Sequence, residues 1–178
     1  KQPGKESGRG KIFAHTPVNP DAPDSQQAYI QPDGLYTLER SKFHQEIVAD
    51  YFKGKTPVKD PVVYVMGGGP AAGKSTALAT GGIQIPENHV SVDPDDVKVR
   101  KLPEYDTLSK AGDKLASQFV HEESSDVGAL VAGKAASEAY NFVVDGTGDT
   151  TLEKLAKKVA KYRAHGHKVV AHYVTVDT

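Results

Sequence analysis

The run Gly68-Gly69-Pro70-Ala71-Ala72-Gly73-Lys74-Ser75-Thr76 combines residue types and a spacing suited to holding phosphate. Glycines let successive backbone N–H groups turn inward around phosphate oxygens without a Cβ clash. The spacing Gly68-x-x-x-x-Gly73-Lys74-Ser75 satisfies the phosphate-binding loop pattern. In that pattern the helix starting near Lys74 adds its positive dipole end. The Lys74 ammonium then reaches the β- and γ-phosphates of ATP or GTP, and the Ser75 hydroxyl ligates Mg²⁺. A chance glycine-rich turn would lack the context that surrounds this one. Val62-Val63-Tyr64-Val65-Met66 precedes it as a strand buried on both faces, and an Ala/Thr/Leu helical pattern follows.

Carboxylates stand at the ends of two more strand-like runs. His89-Val90-Ser91-Val92 leads into Asp93-Pro94-Asp95-Asp96, at the strand edge where α/β sheets bind ligands. The plainer alternative is that Asp95 or Asp96 merely caps a short helix starting near Asp96. Asn141-Phe142-Val143-Val144 ends in Asp145-Gly146-Thr147-Gly148-Asp149, where Asp145 suits a second Mg²⁺ anchor or a plain turn. His121-Glu122-Glu123-Ser124-Ser125-Asp126 packs acid–base and hydroxyl groups into one turn. That cluster fits substrate or a metal-bound water, and equally an acidic N-terminus for a helix from about Asp126 to Ala139.

Several elements must position these groups. Thr37 caps a helix running to about Lys53, stopped by Gly54. Phe43, Ile47, Val48, Tyr51 and Phe52 form its apolar face, with Glu39, Arg40 and Lys42 among the residues mostly elsewhere. Residues 151–164 form an amphipathic helix, with Leu152, Leu155, Ala156 and Val159 inward and Lys154, Lys157, Lys158 and Lys161 on a solvated face. Residues 168–176 alternate as a fourth strand. With strands near 62–66, 89–92, 141–145 and 168–176, the expected architecture is an α/β three-layer P-loop NTPase-type fold, a mainly parallel sheet with flanking helices. Residues 1–36 hold five of the eleven prolines and few apolar residues. They read as an extended leader or linker with His15 in solvent, ahead of a domain over 37–178.

The 178 residues suffice for one sizeable core, and a net charge of −1 lacks the basic footprint of a nucleic-acid or anionic-membrane binder. The absence of cysteine excludes disulfides, thiolate zinc sites and cysteine nucleophiles. It fits a reducing compartment, and the expected setting is cytoplasmic. No apolar run approaches the roughly 20 residues a membrane span needs.

The order of these features resembles the zeta-toxin family of P-loop kinases over roughly residues 37–177. The features are the helix ending near Gly54, GGGPAAGKS at Gly67–Ser75, VDPDD at Val92–Asp96, and YNFVVDGTGDTT at Tyr140–Thr151. The resemblance implies an ATP- and Mg²⁺-dependent kinase acting on a small-molecule acceptor, a hydroxyl of a sugar nucleotide such as UDP-N-acetylglucosamine. By position it implies Asp95 as the general base, Lys74 and Ser75 at the phosphates and metal, and Asp145 and Thr147 at the substrate side. Ala129 stands where some members carry a substrate-contacting glutamate, for which Glu122 or Glu123 is the substitute. Asp149 stands where an arginine is common. Family members continue into a helical lid with arginines, so a truncated domain is expected, with an antitoxin-like protein or the remainder of a longer polypeptide as partner. Two other readings stay open: another P-loop phosphotransferase, acting on a nucleoside or a polynucleotide 5′ end, and a nucleotide-binding module without turnover.

Overall fold

The computed structural model describes residues 15–67, 84–145 and 151–173. The chain forms two compact units. One comprises residues 51–93 and 130–178, the other residues up to 50 together with 94–129.

The first of these contains the sheet. Strands β1 (Val62–Gly67), β2 (Val90–Val92), β3 (Phe142–Asp145) and β4 (Lys168–Tyr173) pair in the order β2-β3-β1-β4, every pair parallel. The expected parallel α/β sheet is therefore present, with its four strands where the apolar runs lie. Val63, Val90 and Phe142 are fully buried, as β-branched and aromatic residues in an interior parallel sheet should be. The register sets Met66 opposite Asp145 and Val92 opposite Val144, so β1, β2 and β3 end along one edge. Asn141 ties the strand starts together. Its side chain accepts from the Val62 N–H at 2.8 Å and donates to the Asn88 carbonyl at 3.4 Å.

A helix at Leu152–Ala164 is capped by Thr151, whose hydroxyl accepts from the Lys154 N–H at 3.2 Å. Its anchor is Tyr162, which meets Phe142 edge-on at 5.1 Å. Contrary to the expected stripe, Leu152 is 83% exposed and Ala156 is also exposed. The covered positions are Leu155, Lys158, Val159 and Tyr162. The helix is covered from Leu155 onward, while its first turn faces out.

The second unit is helical. Part of the segment read as extended is the helix α1 (Ser25–Tyr29), capped by Asp24 through the Gln27 N–H at 2.8 Å. Ala22, Ala28 and Tyr29 form a small core against which Tyr36 packs. Helix α2 (Leu38–Phe52) starts as Thr37 accepts from the Arg40 N–H at 3.2 Å, and Gly54 follows it at φ 71°. A short helix, α3 (Pro94–Asp96), runs into a π-helical turn over Val97–Lys101, closed by the Leu102 N–H on the Val97 carbonyl at 3.2 Å. Helices α4 (Pro103–Lys110) and α5 (Ala116–Phe119) follow, and α6 (His121–Ser137) begins in this unit.

Candidate functional site

The candidate site residues divide between the two units. In the sheet unit, β1 delivers the chain to Gly67, and the residues assigned to phosphate, Gly68 to Thr76 with Lys74 and Ser75, lie outside the described residues, as does Thr147. At Gly67 a Cβ would lie 2.6 Å from the Tyr173 ring carbon Cδ2, so that largely exposed ring would have to shift. Asp145 ends β3 with its side chain exposed and its backbone in register with Met66. Its carbonyl accepts from the Lys158 ammonium at 3.3 Å, so Lys158 belongs to this edge rather than to a purely solvated face.

In the helical unit Asp95 lies in α3, three residues beyond the end of β2, with its side chain 83% exposed. Its Oδ1 is 3.3 Å from the Lys98 ammonium, which is buried. Asp96 pairs instead with Arg100 at 3.0 Å, and makes no capping hydrogen bond. Glu122 is exposed in the first turn of α6 and lines a cavity of about 670 Å³ with Asp24, Lys114, Gln118, Phe119 and His121.

The turn containing Glu122 resolves into structural and free-facing positions. Helix α6 begins at His121, five residues earlier than the pattern indicates. Ser124 and Ser125 donate to the His121 carbonyl at 2.7 and 3.1 Å. Asp126 accepts from the Tyr36 hydroxyl at 2.6 Å and the Gln26 amide at 2.8 Å. Glu123 is fully buried, facing away from Glu122's cavity, and takes no part in a substrate surface.

Glu123 instead anchors a buried ionic cluster that reading the sequence missed. Arg40 Nε and Nη2 donate to its two oxygens, the second at 2.9 Å, and His44 Nε2 donates at 2.7 Å. Arg40 Nη1 is also 2.9 Å from Glu104 Oε1, and the Tyr29 hydroxyl donates to that same oxygen at 2.8 Å. The guanidinium lies 3.8 Å over the Tyr29 ring, a favourable cation–π arrangement. Burial alone would raise the Glu123 carboxyl, but hydrogen bonds from His44 and Arg40 and the Arg40 charge hold it down to about 2. Burial and the Glu104 charge push the Tyr29 hydroxyl far above its ordinary range. Arg40 and His44 share a stripe with Ile47 and Val48, all buried. That spacing, two polar residues in line with an apolar face, was the available signal. His15, expected in solvent, is mostly covered and bonds Glu39 at 2.9 Å.

Among the described residues no group of three or more His, Asp or Glu side chains is arranged around a metal. No described helix is long and apolar enough to cross a membrane.

The family model for the zeta toxin matches residues 48–178. The chain belongs to the zeta toxin family. Within that family it is similar to the Toxin zeta of Streptococcus pyogenes, 28% identical over 102 residues, which covers 57% of this chain and 35% of the relative. It is also 29% identical over 117 residues to the Toxin zeta of Enterococcus hirae, covering 66% of this chain and 40% of that one. This zeta toxin family chain thus spans about two fifths or less of the length of these curated relatives. Among solved structures, a chain of the PezAT chromosomal toxin–antitoxin system of Streptococcus pneumoniae superposes with a TM-score of 0.66 at 20% identity, covering 81% of this chain and 59% of that one. A chain of the AvrRxo1-ORF1:ORF2 complex gives 0.56 at 19%, covering 84% and 50%. The same system determined with ATP gives 0.52 at 18%, covering 92% and 54%. At these identities the structures speak for the shared fold.

Proposed function

We propose that this chain carries the nucleotide-binding and acceptor-activating residues of an ATP-dependent small-molecule kinase, with GTP as the alternative donor. The observation that carries the reading is the register of Asp145 with Met66 at the parallel edge from which the Gly68–Thr76 loop departs. In such a sheet, ligand groups gather beyond the carboxyl ends of the strands.

The loop's backbone N–H groups and Lys74 hold the phosphates of the donor. Asp145 offers an exposed hard oxygen, and Ser75 a hydroxyl, a donor set that suits Mg²⁺, which takes few protein ligands and keeps several waters. When bound, Mg²⁺ neutralises charge on the β- and γ-phosphate oxygens. Asp95 accepts the proton of the attacking hydroxyl and orients it, while Thr147 and Glu122 contact the acceptor. The acceptor we assign is a sugar nucleotide such as UDP-N-acetylglucosamine, and the protein partner an antitoxin-like chain or further polypeptide. Family membership and likeness to a chain from a toxin–antitoxin system support both.

Asp95→Asn tests the reading, because it keeps the shape and removes the basicity. Phosphoryl transfer from radiolabelled ATP to UDP-N-acetylglucosamine should fall by about 10²–10⁴ in kcat, with ATP affinity by calorimetry unchanged. Asp93→Asn and Asp96→Asn should lose much less. Full activity in all three variants would show that Asp95 is not the base and leave the kinase reading without its main catalytic residue.

A further inference from the structure

Asp95 stands on a three-residue helix with its side chain 83% exposed. A general base has to stand within about 2.6–3.2 Å of the proton it takes. The side chains that touch Asp95 therefore bear on where its carboxylate stands. We propose that Lys98 is the positioning residue for Asp95, a buried bracket whose second fastening is His121. The proposal rests on the reading of Asp95 as the base.

The Lys98 side chain is 9% exposed, with its ammonium 3.3 Å from Asp95 Oδ1 and 3.3 Å from His121 Nδ1. Burying an ammonium is costly unless it is paired. Ordinary helix-surface pairs leave both ends in water, as Lys110–Asp106 does with side chains 76% and 60% exposed. Lys98 departs from that pattern in two ways: it is sunk into the unit, and one partner is 23 residues away on another helix. An ammonium only donates, so His121 Nδ1 is the acceptor and the imidazole proton sits on Nε2. His121 is thereby fixed in one tautomer at the rim of the cavity that Glu122 also lines.

The backbone is shaped for this contact. Lys98 lies in the π-helical turn Val97–Lys101. Such turns are rare and concentrate at functional sites. Helix α6 passes α3 at Gly128, where a Cβ would stand 3.1 Å from Pro94 Cγ. That close approach sets the helix bearing His121 against the turn bearing Asp95.

The test uses the full chain with Lys98→Met, Lys98→Arg, Asp95→Asn and the double variant Asp95→Asn with Lys98→Met. ADP release from Mg·ATP is followed with a panel of hydroxyl-bearing metabolites that includes UDP-N-acetylglucosamine. Lys98→Met should lower kcat by about 10²-fold, the order expected when a reacting group is misplaced by about 1 Å, with KM for ATP unchanged. Lys98→Arg should recover most of the loss, and the double variant should be no slower than Asp95→Asn alone. A Lys98→Met enzyme at wild-type rate beside a dead Asp95→Asn enzyme overturns the bracket and leaves the base standing. Losses that multiply in the double variant also overturn it. Should Asp95→Asn keep full activity, or no acceptor be turned over, the ¹H–¹⁵N spectrum of lysine ammonium groups decides. A protected Lys98 signal that moves in both Asp95→Asn and His121→Ala supports the bracket, and one that moves in neither overturns it.

Discussion

Glu123→Gln is the sharpest probe of the buried cluster. The substitution keeps the volume but puts an amide group where Arg40 and His44 now donate. The amide oxygen can still accept at one position, but the NH₂ at the other cannot, so at least one of the three hydrogen bonds is lost, the others lose their charge, and Arg40 is left with the Glu104 counter-charge. The drop of the Glu123 carboxyl from 4.5 to about 2 gives the size of the effect. At about 1.4 kcal/mol per tenfold change in proton affinity, it is worth about 3 kcal/mol. Removal of one partner from a buried ion pair costs about 3–5 kcal/mol, so the two routes agree. The pH dependence follows from the sign. A depressed carboxyl contributes stability that is complete above pH 4.5 and is lost as pH falls towards 2. Wild type should therefore exceed Glu123→Gln by about 3 kcal/mol at pH 7, and the gap should close steadily below pH 4.5. Urea unfolding followed by far-ultraviolet circular dichroism at pH 7, 5.5, 4 and 3 measures it. A gap under about 1 kcal/mol at pH 7, or one that stays constant with pH, would refute the reasoning.

Other consequences are testable in the same way. Lys74→Ala should weaken binding of nucleoside triphosphate more than monophosphate in titration calorimetry, because Lys74 serves the outer phosphates. Asn141→Ala should cost about 1–3 kcal/mol in urea unfolding, since the Val62 N–H loses its acceptor at the start of β1. His167 donates through Nε2 to the Tyr140 carbonyl at 2.7 Å, its buried Nδ1 makes no hydrogen bond, and burial lowers its proton affinity. Its contribution to stability is complete above about pH 6.5 and is lost as pH falls below that value. Thermal melts should show a loss of stability between pH 7 and 5 that is smaller in His167→Gln.

The sheet was readable because its strands are dense in valine and end abruptly in glycine or aspartate. Val62–Met66 and Phe142–Asp145 carry both signals, and a strand buried on two faces needs nothing from distant residues to be recognised. Helix α2 was readable from Thr37 and Gly54 for the same local reason. Arg40 was not, because charged residues are assigned to water unless a partner is known, and its partners are 64 and 83 residues away in Glu104 and Glu123. The HEESSD turn failed for a related reason. Adjacent glutamates look alike in sequence, yet α6 turns Glu123 into the interior and Glu122 out to the cavity. Helix α1 is only five residues long, too short for periodicity to register amid prolines. Leu152 has the spacing of a core residue because pattern alone cannot tell which turn of a helix its neighbours cover.

The helical unit is assembled from two stretches of chain separated by the first two strands, and this sets a timetable for synthesis. Arg40 leaves the ribosome 83 residues ahead of Glu123. At about 5–20 residues per second this is a delay of roughly 4–17 s. Throughout it, Arg40 is made but lacks its Glu123 partner, and β1 and β2 are complete before the cluster has either glutamate. The nascent protein thus carries a half-built ionic core past its first strands, and any pause before residue 123 prolongs that state.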